Sequence, residues 1–216
     1  MSLAGFYKDI DNPIEAYSSF SDNEQITSFA NAPQAELYGA ELELQLKRSL
    51  DTLGGGFFET KDAVLVANYT YTDSAIAVAE GDVTQIFPRG AQPASNFFFD
   101  GVPLTGQSDH LVNVQFGFED WDKLQQLTLL LAYASKRVTS RGTSGLPDIL
   151  EDPGLRVDIV GRQGLTLFGV ETELKAEARN IFGRGKFEYQ ATDTNRIEIN
   201  SYDRGTSFSL SISANF

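Results

Sequence analysis

The 216-residue sequence contains no cysteine, one histidine, one methionine and one tryptophan. Without cysteine there is no disulfide, no thiolate metal site and no thiol nucleophile, a composition compatible with an oxidising envelope. The lone His110 stands beside Ser108 and Asp109. Members of a Ser-His-Asp triad meet in space rather than in sequence, so this local cluster is read as a hydrogen-bonding strand start and not as a catalytic site. One histidine and no cysteine leave only carboxylates to complete a zinc site, an uncommon ligand set. Glu80 with Asp82, and Glu151 with Asp152, lack the spaced oxygen ligands of a calcium loop. The Gly54-Gly55-Gly56 run is not followed by Gly-Lys-Ser or a helix, so it is no phosphate loop. No catalytic residue, metal or cofactor is expected.

Positive charge is scarce as well, with 17 basic residues against 30 acidic ones. No basic stripe offsets that balance, which removes nucleic acid as a partner. Long apolar runs are also missing. The longest, residues 127–134, is interrupted by Thr128 and falls far short of the roughly 20 residues a membrane helix needs. If this chain crosses a membrane, it must do so as strands of a barrel. No secretory leader is visible, because Met1, Ser2 and Leu3 run straight into the strand-like Phe6-Tyr7-Lys8-Asp9-Ile10. Residues 1–3 are read as an addition foreign to the fold, and residues 4–216 as a segment of something longer.

What the sequence does have is alternation. In its last thirteen residues Phe208, Leu210, Ile212, Ala214 and Phe216 fall on one side, and Ser207, Ser209, Ser211, Ser213 and Asn215 on the other. That is a period of two, the mark of a strand. Six earlier segments follow the same rule, at residues 36–47, 63–77, 110–118, 124–138, 155–162 and 170–178, and residues 4–11 read as a further, first strand whose facing the sequence leaves open. In the second strand, Tyr38, Ala40, Leu42, Leu44 and Leu46 oppose Gly39, Glu41, Glu43, Gln45 and Lys47. In the seventh strand, Val170, Thr172, Leu174, Ala176 and Ala178 oppose Glu171, Glu173, Lys175, Glu177 and Arg179. The connections alternate in length: long after the first, third, fifth and seventh strands, shorter after the second, fourth and sixth. Transmembrane barrels have this asymmetry, with long loops outside and short turns in the periplasm. The predicted fold is therefore all-β, an antiparallel up-and-down transmembrane β-barrel present as about eight strands.

Three segments, residues 35–45 (AELYGAELELQ), 174–183 (LKAEARNIFG) and 6–14 (FYKDIDNPI), join the terminal strand in resembling the C-terminal barrel portion of a TonB-dependent outer-membrane receptor. The family's Asn-Leu-Phe strand end reads Asn180-Ile181-Phe182 here, and its Gly-Arg strand start stands inverted as Arg204-Gly205. The resemblance implies a barrel of about 22 strands in the whole protein, a plug domain inside it, and TonB as the energising partner. It also implies a scarce nutrient as ligand: a ferric siderophore, a cobalamin or an oligosaccharide.

On that reading Leu42, Leu44, Phe116, Phe208, Leu210 and Ile212 face outer-membrane lipid. Glu41, Glu43, Glu173, Lys175, Glu177 and Arg179 face the lumen, with a paired-carboxylate catalytic role for Glu41 and Glu43 as the alternative. Phe216 marks the periplasmic terminus. The long connections at residues 78–106, 139–153 and 183–203 form the outer surface, where Phe97, Phe98, Phe99, Arg141 and Tyr202 are candidate ligand contacts. The Phe97-Phe98-Phe99 run reads equally as an apolar patch tucking its loop against the barrel mouth. Two further readings stay open on sequence: a complete eight-strand barrel with a structural or adhesion role, and a soluble acidic β-sandwich that binds carbohydrate, whose apolar faces pack on each other.

Overall fold

A strand with one apolar and one polar face still has to pair its backbone on both edges, and a meander of hairpins does this with the shortest connections. The computed structural model describes residues 1–21, 24–120, 122–143 and 145–215. In chain order its strands are β1 (Ser2–Asp11), β2 (Ile14–Ser21), β3 (Glu24–Asn31), β4 (Gln34–Ser49), β5 (Asp62–Ala77), β6 (Val83–Ile86), β7 (Gly90–Pro93) and β8 (His110–Asp120). There follow β9 (Gln125–Ala134), β10 (Arg137–Gly142), β11 (Ile149–Glu151), β12 (Gly154–Leu167), β13 (Val170–Arg179), β14 (Lys186–Ala191), β15 (Arg196–Tyr202) and β16 (Ser207–Asn215).

Eight of these strands form one sheet in the order β1-β4-β5-β8-β9-β12-β13-β16, every neighbouring pair antiparallel. They are the eight segments that read as strands in the sequence. Closing an eight-strand barrel would require β1 to pair with β16, yet each pairs on one side only, with β4 and β13 respectively. The register of β1 takes in Ser2 and Leu3, which sit opposite Glu43 and Leu42. Phe216 and Trp121 lie outside the described residues.

All four long connections leave the same end of this sheet, and three of them build a second one. Its order is β15-β14-β11-β10-β2-β3, drawn from the connections that follow β1, β9 and β13. The polar stretch after β1 is a full hairpin of β2 and β3. The connection after β5 adds the small β6–β7 hairpin. Together these elements form a cap over one end of the eight-stranded sheet. Beneath it lies an apolar core of Tyr17, Ala30, Ala32, Ala35, Ile76, Ile86, Ala94, Phe97 and Phe98.

One strand ends earlier than its alternation predicts. Residues 124–138 read as one continuous segment, but β9 stops at Ala134. At Ser135 side chains take over from the ladder: its hydroxyl accepts from the His110 N–H at 3.1 Å, and its carbonyl accepts from the Ser108 hydroxyl at 2.8 Å. The chain then departs as β10 into the cap. At the opposite end the short links are tied together. Lys61 and Asp120 are both buried, 3.5 Å apart, and Lys61 Nζ donates to the Phe57 carbonyl at 2.7 Å while lying 3.9 Å over the Phe57 ring. The Thr60 hydroxyl and the Lys123 N–H complete the donors to Asp120.

Gly39, of the Tyr38-Gly39 pair in β4, answers a packing need. A Cβ there would come within 2.1 Å of the Tyr71 carbonyl oxygen and 2.5 Å of the Phe6 ring. Glycine lets Phe6 lie flat across the sheet.

Candidate functional site

Register fixes which side chains share a face, because residues directly opposite in a sheet point the same way. One row runs across seven strands: Leu46, Leu65, Phe116, Leu129, Ile159, Ala178 and Phe208. Leu42 and Leu44 head two parallel rows, and Leu210 and Ile212 follow Phe208 along β16. Among the described residues this apolar face is largely uncovered. Phe116 is 54 % exposed and Phe208 79 %, far more contiguous apolar area than a water-facing surface usually carries. Tyr7, Tyr38, Tyr69, Tyr71 and Tyr133 gather on the same face toward the cap end.

The opposite face carries Glu41, Glu43, Glu173, Lys175, Glu177 and Arg179 together. Charges there pair along and across the strands: along β13 Glu177 meets Lys175 at 2.5 Å and Arg179 at 3.1 Å, and from β4 Lys47 reaches Glu119 on β8 at 2.9 Å and Asp62 on β5 at 3.0 Å. Val64, Val66, Leu130 and Val160 dilute the polar character of the middle strands, a mixture their sequence already shows.

The cap is held by a buried polar network. Arg141 on β10 has no exposed surface; its Nε donates to Glu15 Oε2 at 3.3 Å and its Nη1 to Asp148 Oδ2 at 2.7 Å. Glu15 on β2 also accepts from the Thr105 N–H at 3.1 Å, and Asp148 from the Gly142 N–H at 3.0 Å. Burial pushes the Glu15 carboxyl above its usual range, against the opposing pull of Arg141 and the Thr105 N–H. The Ser18 and Ser140 hydroxyls bond at 2.8 Å, and Thr143 donates to the Ser18 carbonyl at 2.9 Å. Between the two strands Arg141 pairs with Tyr17 and Gly142 with Ser18 in parallel. Three separate connections are thereby locked into one body.

The candidate ligand contacts divide accordingly. Phe98 is wholly buried in the core under the cap, Phe97 packs edge-on to Tyr17 at 5.1 Å, and Arg141 is buried with Nε and Nη1 in the network and Nη2 without a hydrogen-bond partner among the described residues. Phe99 is half exposed. Tyr202 lies exposed at the end of β15, 5.6 Å from the Arg204 guanidinium. The structure thus brings Phe97 and Phe99 to one place, a cavity of about 800 Å³ in the cap, and leaves Tyr202 away from it. Hydroxyls and amides of Tyr17, Ser19, Ser28, Gln92 and Asn96 line the same cavity, with Phe87 and Arg89 on its β6–β7 side. Among the described residues no carboxylate lines it. A second cavity, of about 420 Å³, opens on the polar face beneath the cap and is lined by arginines from several segments.

An open antiparallel meander with an uncovered apolar face, a charged reverse face and every long connection at one end is the architecture of a barrel wall. The family described as TonB dependent receptor-like, beta-barrel matches residues 1–159. The chain belongs to this family. No curated protein and no solved structure matches it. The TonB-dependent receptor barrels are transport proteins of the bacterial outer membrane, and the eight-stranded sheet supplies wall strands of that type. In this receptor barrel His110 is a hydrogen-bonding residue, its Nδ1 2.8 Å from the Tyr69 hydroxyl and its ring stacked on Tyr69. No group of three or more His, Cys, Asp and Glu residues is placed to hold a metal ion among the described residues.

Proposed function

We propose that the chain is the eight-strand C-terminal wall of a TonB-dependent outer-membrane receptor that captures a scarce nutrient and admits it to the periplasm. The nutrient belongs to the ferric siderophore, cobalamin or oligosaccharide class. The observation that carries this reading is the row from Leu46 to Phe208, an uninterrupted apolar band on one side of a sheet whose other side is charged. Lipid covers the apolar face, and Leu42, Leu44, Phe116, Phe208, Leu210 and Ile212 are its contacts. Glu41, Glu43, Glu173, Lys175, Glu177 and Arg179 then line the lumen. The free edges of β1 and β16 are completed by further wall strands, since an edge exposed in hydrocarbon leaves its N–H and C=O groups without partners.

Ligand capture takes place in the cap, where the larger cavity has the size of a small-molecule site and Phe99, Phe87 and Arg89 stand exposed along its lining. Energy comes from TonB acting on a plug inside the barrel. The test is a deletion of the gene in its own bacterium, with growth scored on limiting ferric chelates, cobalamin and oligosaccharides and the tagged protein located by membrane fractionation. An outer-membrane location and a growth defect shared with a strain lacking TonB on one of these nutrients is the expected result. A tagged protein in the soluble fraction would contradict the reading.

A further inference from the structure

Five arginines, Arg137, Arg156, Arg179, Arg184 and Arg204, line the cavity on the polar face, against two carboxylates, Glu151 and Asp158. The whole chain holds 17 basic and 30 acidic residues, so the cavity reverses the sign of the protein around it. The five are not equivalent. Arg137 gives Nε and Nη2 to Glu151 at 3.0 and 2.8 Å, and Arg184 bonds the carbonyls of Pro153 and Asp152 at 3.0 and 2.7 Å. Arg137 thereby joins β10 to β11 within the cap, and Arg184 ties the connection after β13 to the link that leads into β12.

The other three hold their guanidinium groups at the surface, where a ligand can reach them. Arg156 stands 3.6 Å from Asp158 with its side chain 57 % exposed, and Arg179 gives Nε and Nη2 to one oxygen of Glu177 at 3.2 and 3.1 Å with its side chain still 58 % exposed. Their carboxylate neighbours are already engaged elsewhere: Asp158 accepts from the Asn180 N–H at 2.8 Å, and Glu177 pairs with Lys175 at 2.5 Å. Arg204 is exposed and makes no ion pair among the described residues.

We propose that this cavity is an anion site, binding a ligand that presents two or more carboxylate or phosphate groups to Arg156, Arg179 and Arg204. Guanidinium is planar, permanently charged and matched to an oxyanion by two parallel hydrogen bonds. The volume of about 420 Å³ suits a small organic anion. The site lies between the cap and the acidic Glu171 and Glu173 farther along β13. An anion passing the cap is held there before it meets repulsion. Binding of this kind is an equilibrium property and does not depend on whether the protein imports anything.

The experiment is calorimetric titration of the full-length gene product in detergent at low ionic strength. Citrate and pyrophosphate are the anionic probes, and maltotriose is the neutral one. Saturable binding of at least one anion is expected, weakening as sodium chloride is added, with maltotriose silent. Arg156→Gln with Arg179→Gln lowers the affinity at least about tenfold, and Arg204→Gln alone lowers it less. Lys47→Gln, on the same face but at the far end of β4, leaves it unchanged. Because Arg204 lies outside the strands, its variant gives an independent reading if the double variant does not fold. No saturable binding of either anion, equal binding of maltotriose, or undiminished affinity in these arginine variants would overturn the proposal. Anion binding by a protein that proves soluble would refute the receptor reading alone, whereas a true outer-membrane receptor without anion binding would refute this one alone.

Discussion

Arg141 donates to Glu15 across 126 positions of sequence, at 3.3 Å and with neither side chain exposed. This pairing, with Asp148 on the other side of the guanidinium, makes the connections after β1 and β9 one structural unit. Surface loops usually move independently, but here a buried ion pair joins them. The cap over the larger cavity is therefore a preformed surface.

Removing one partner of such a pair strands the other. Arg141→Met leaves Glu15 buried without a counter-charge and is expected to destabilise the cap by about 3–5 kcal/mol. The double variant Glu15→Met with Arg141→Met recovers much of that loss, since well-packed apolar residues often replace a buried pair at little cost. Limited proteolysis of the cap in the three variants, alongside denaturant titration of the whole protein, checks both statements. Equal protease resistance in wild type and Arg141→Met would refute them.

The raised pKa of Glu15 has a definite sign in stability. A carboxyl whose pKa is higher folded than unfolded binds its proton more tightly in the native state. Its contribution is full below the ordinary carboxylate range and is lost as the pH climbs through the elevated value, burial being the cause and Arg141 only a partial offset. Thermal unfolding of wild type and Glu15→Gln between mildly acidic and neutral pH is the measurement. The wild type should lose more stability than Glu15→Gln as the pH rises through that window.

The neighbouring phenylalanines should behave oppositely on truncation. Phe98 is fully buried, so Phe98→Ala is expected to cost about 3–5 kcal/mol. Phe99 is half exposed at the cavity wall, and Phe99→Ala should leave stability nearly unchanged while weakening capture of the nutrient. Denaturant midpoints and whole-cell ligand binding on the two variants separate these effects.

Seven strands of the main sheet are legible as alternation, because a period of two is a local property that each strand carries alone; β1 is legible as a strand, but its facing is set only by its pairing with β4. Loop-length parity is legible for the same reason, and it placed the long connections at one end. The cap is not. The β2–β10 pairing involves only two residue pairs, in parallel and far apart in sequence, and polar runs such as residues 14–21 show no period to announce it. Arg141 carries no sign of burial in its neighbours Ser140 and Gly142, so as a lone cation in a long loop it looks like a ligand contact. The arginine cavity was invisible for a related reason. Its members come from β10, β12, β13 and two connections, and only the folded sheet brings them together.

The central claim is that the apolar face of the eight-stranded sheet meets lipid and the charged face meets water. Gln115 and Phe116 are adjacent on β8 and point to opposite faces, and the absence of native cysteine makes single-cysteine spin labelling clean. The direct measurement is collision of the spin label with oxygen and with a water-soluble nickel chelate, at Gln115→Cys and at Phe116→Cys in bilayers. The label at residue 116 should be relaxed by oxygen and shielded from nickel, and the label at 115 should show the reverse. Equal nickel access at both positions would contradict the account.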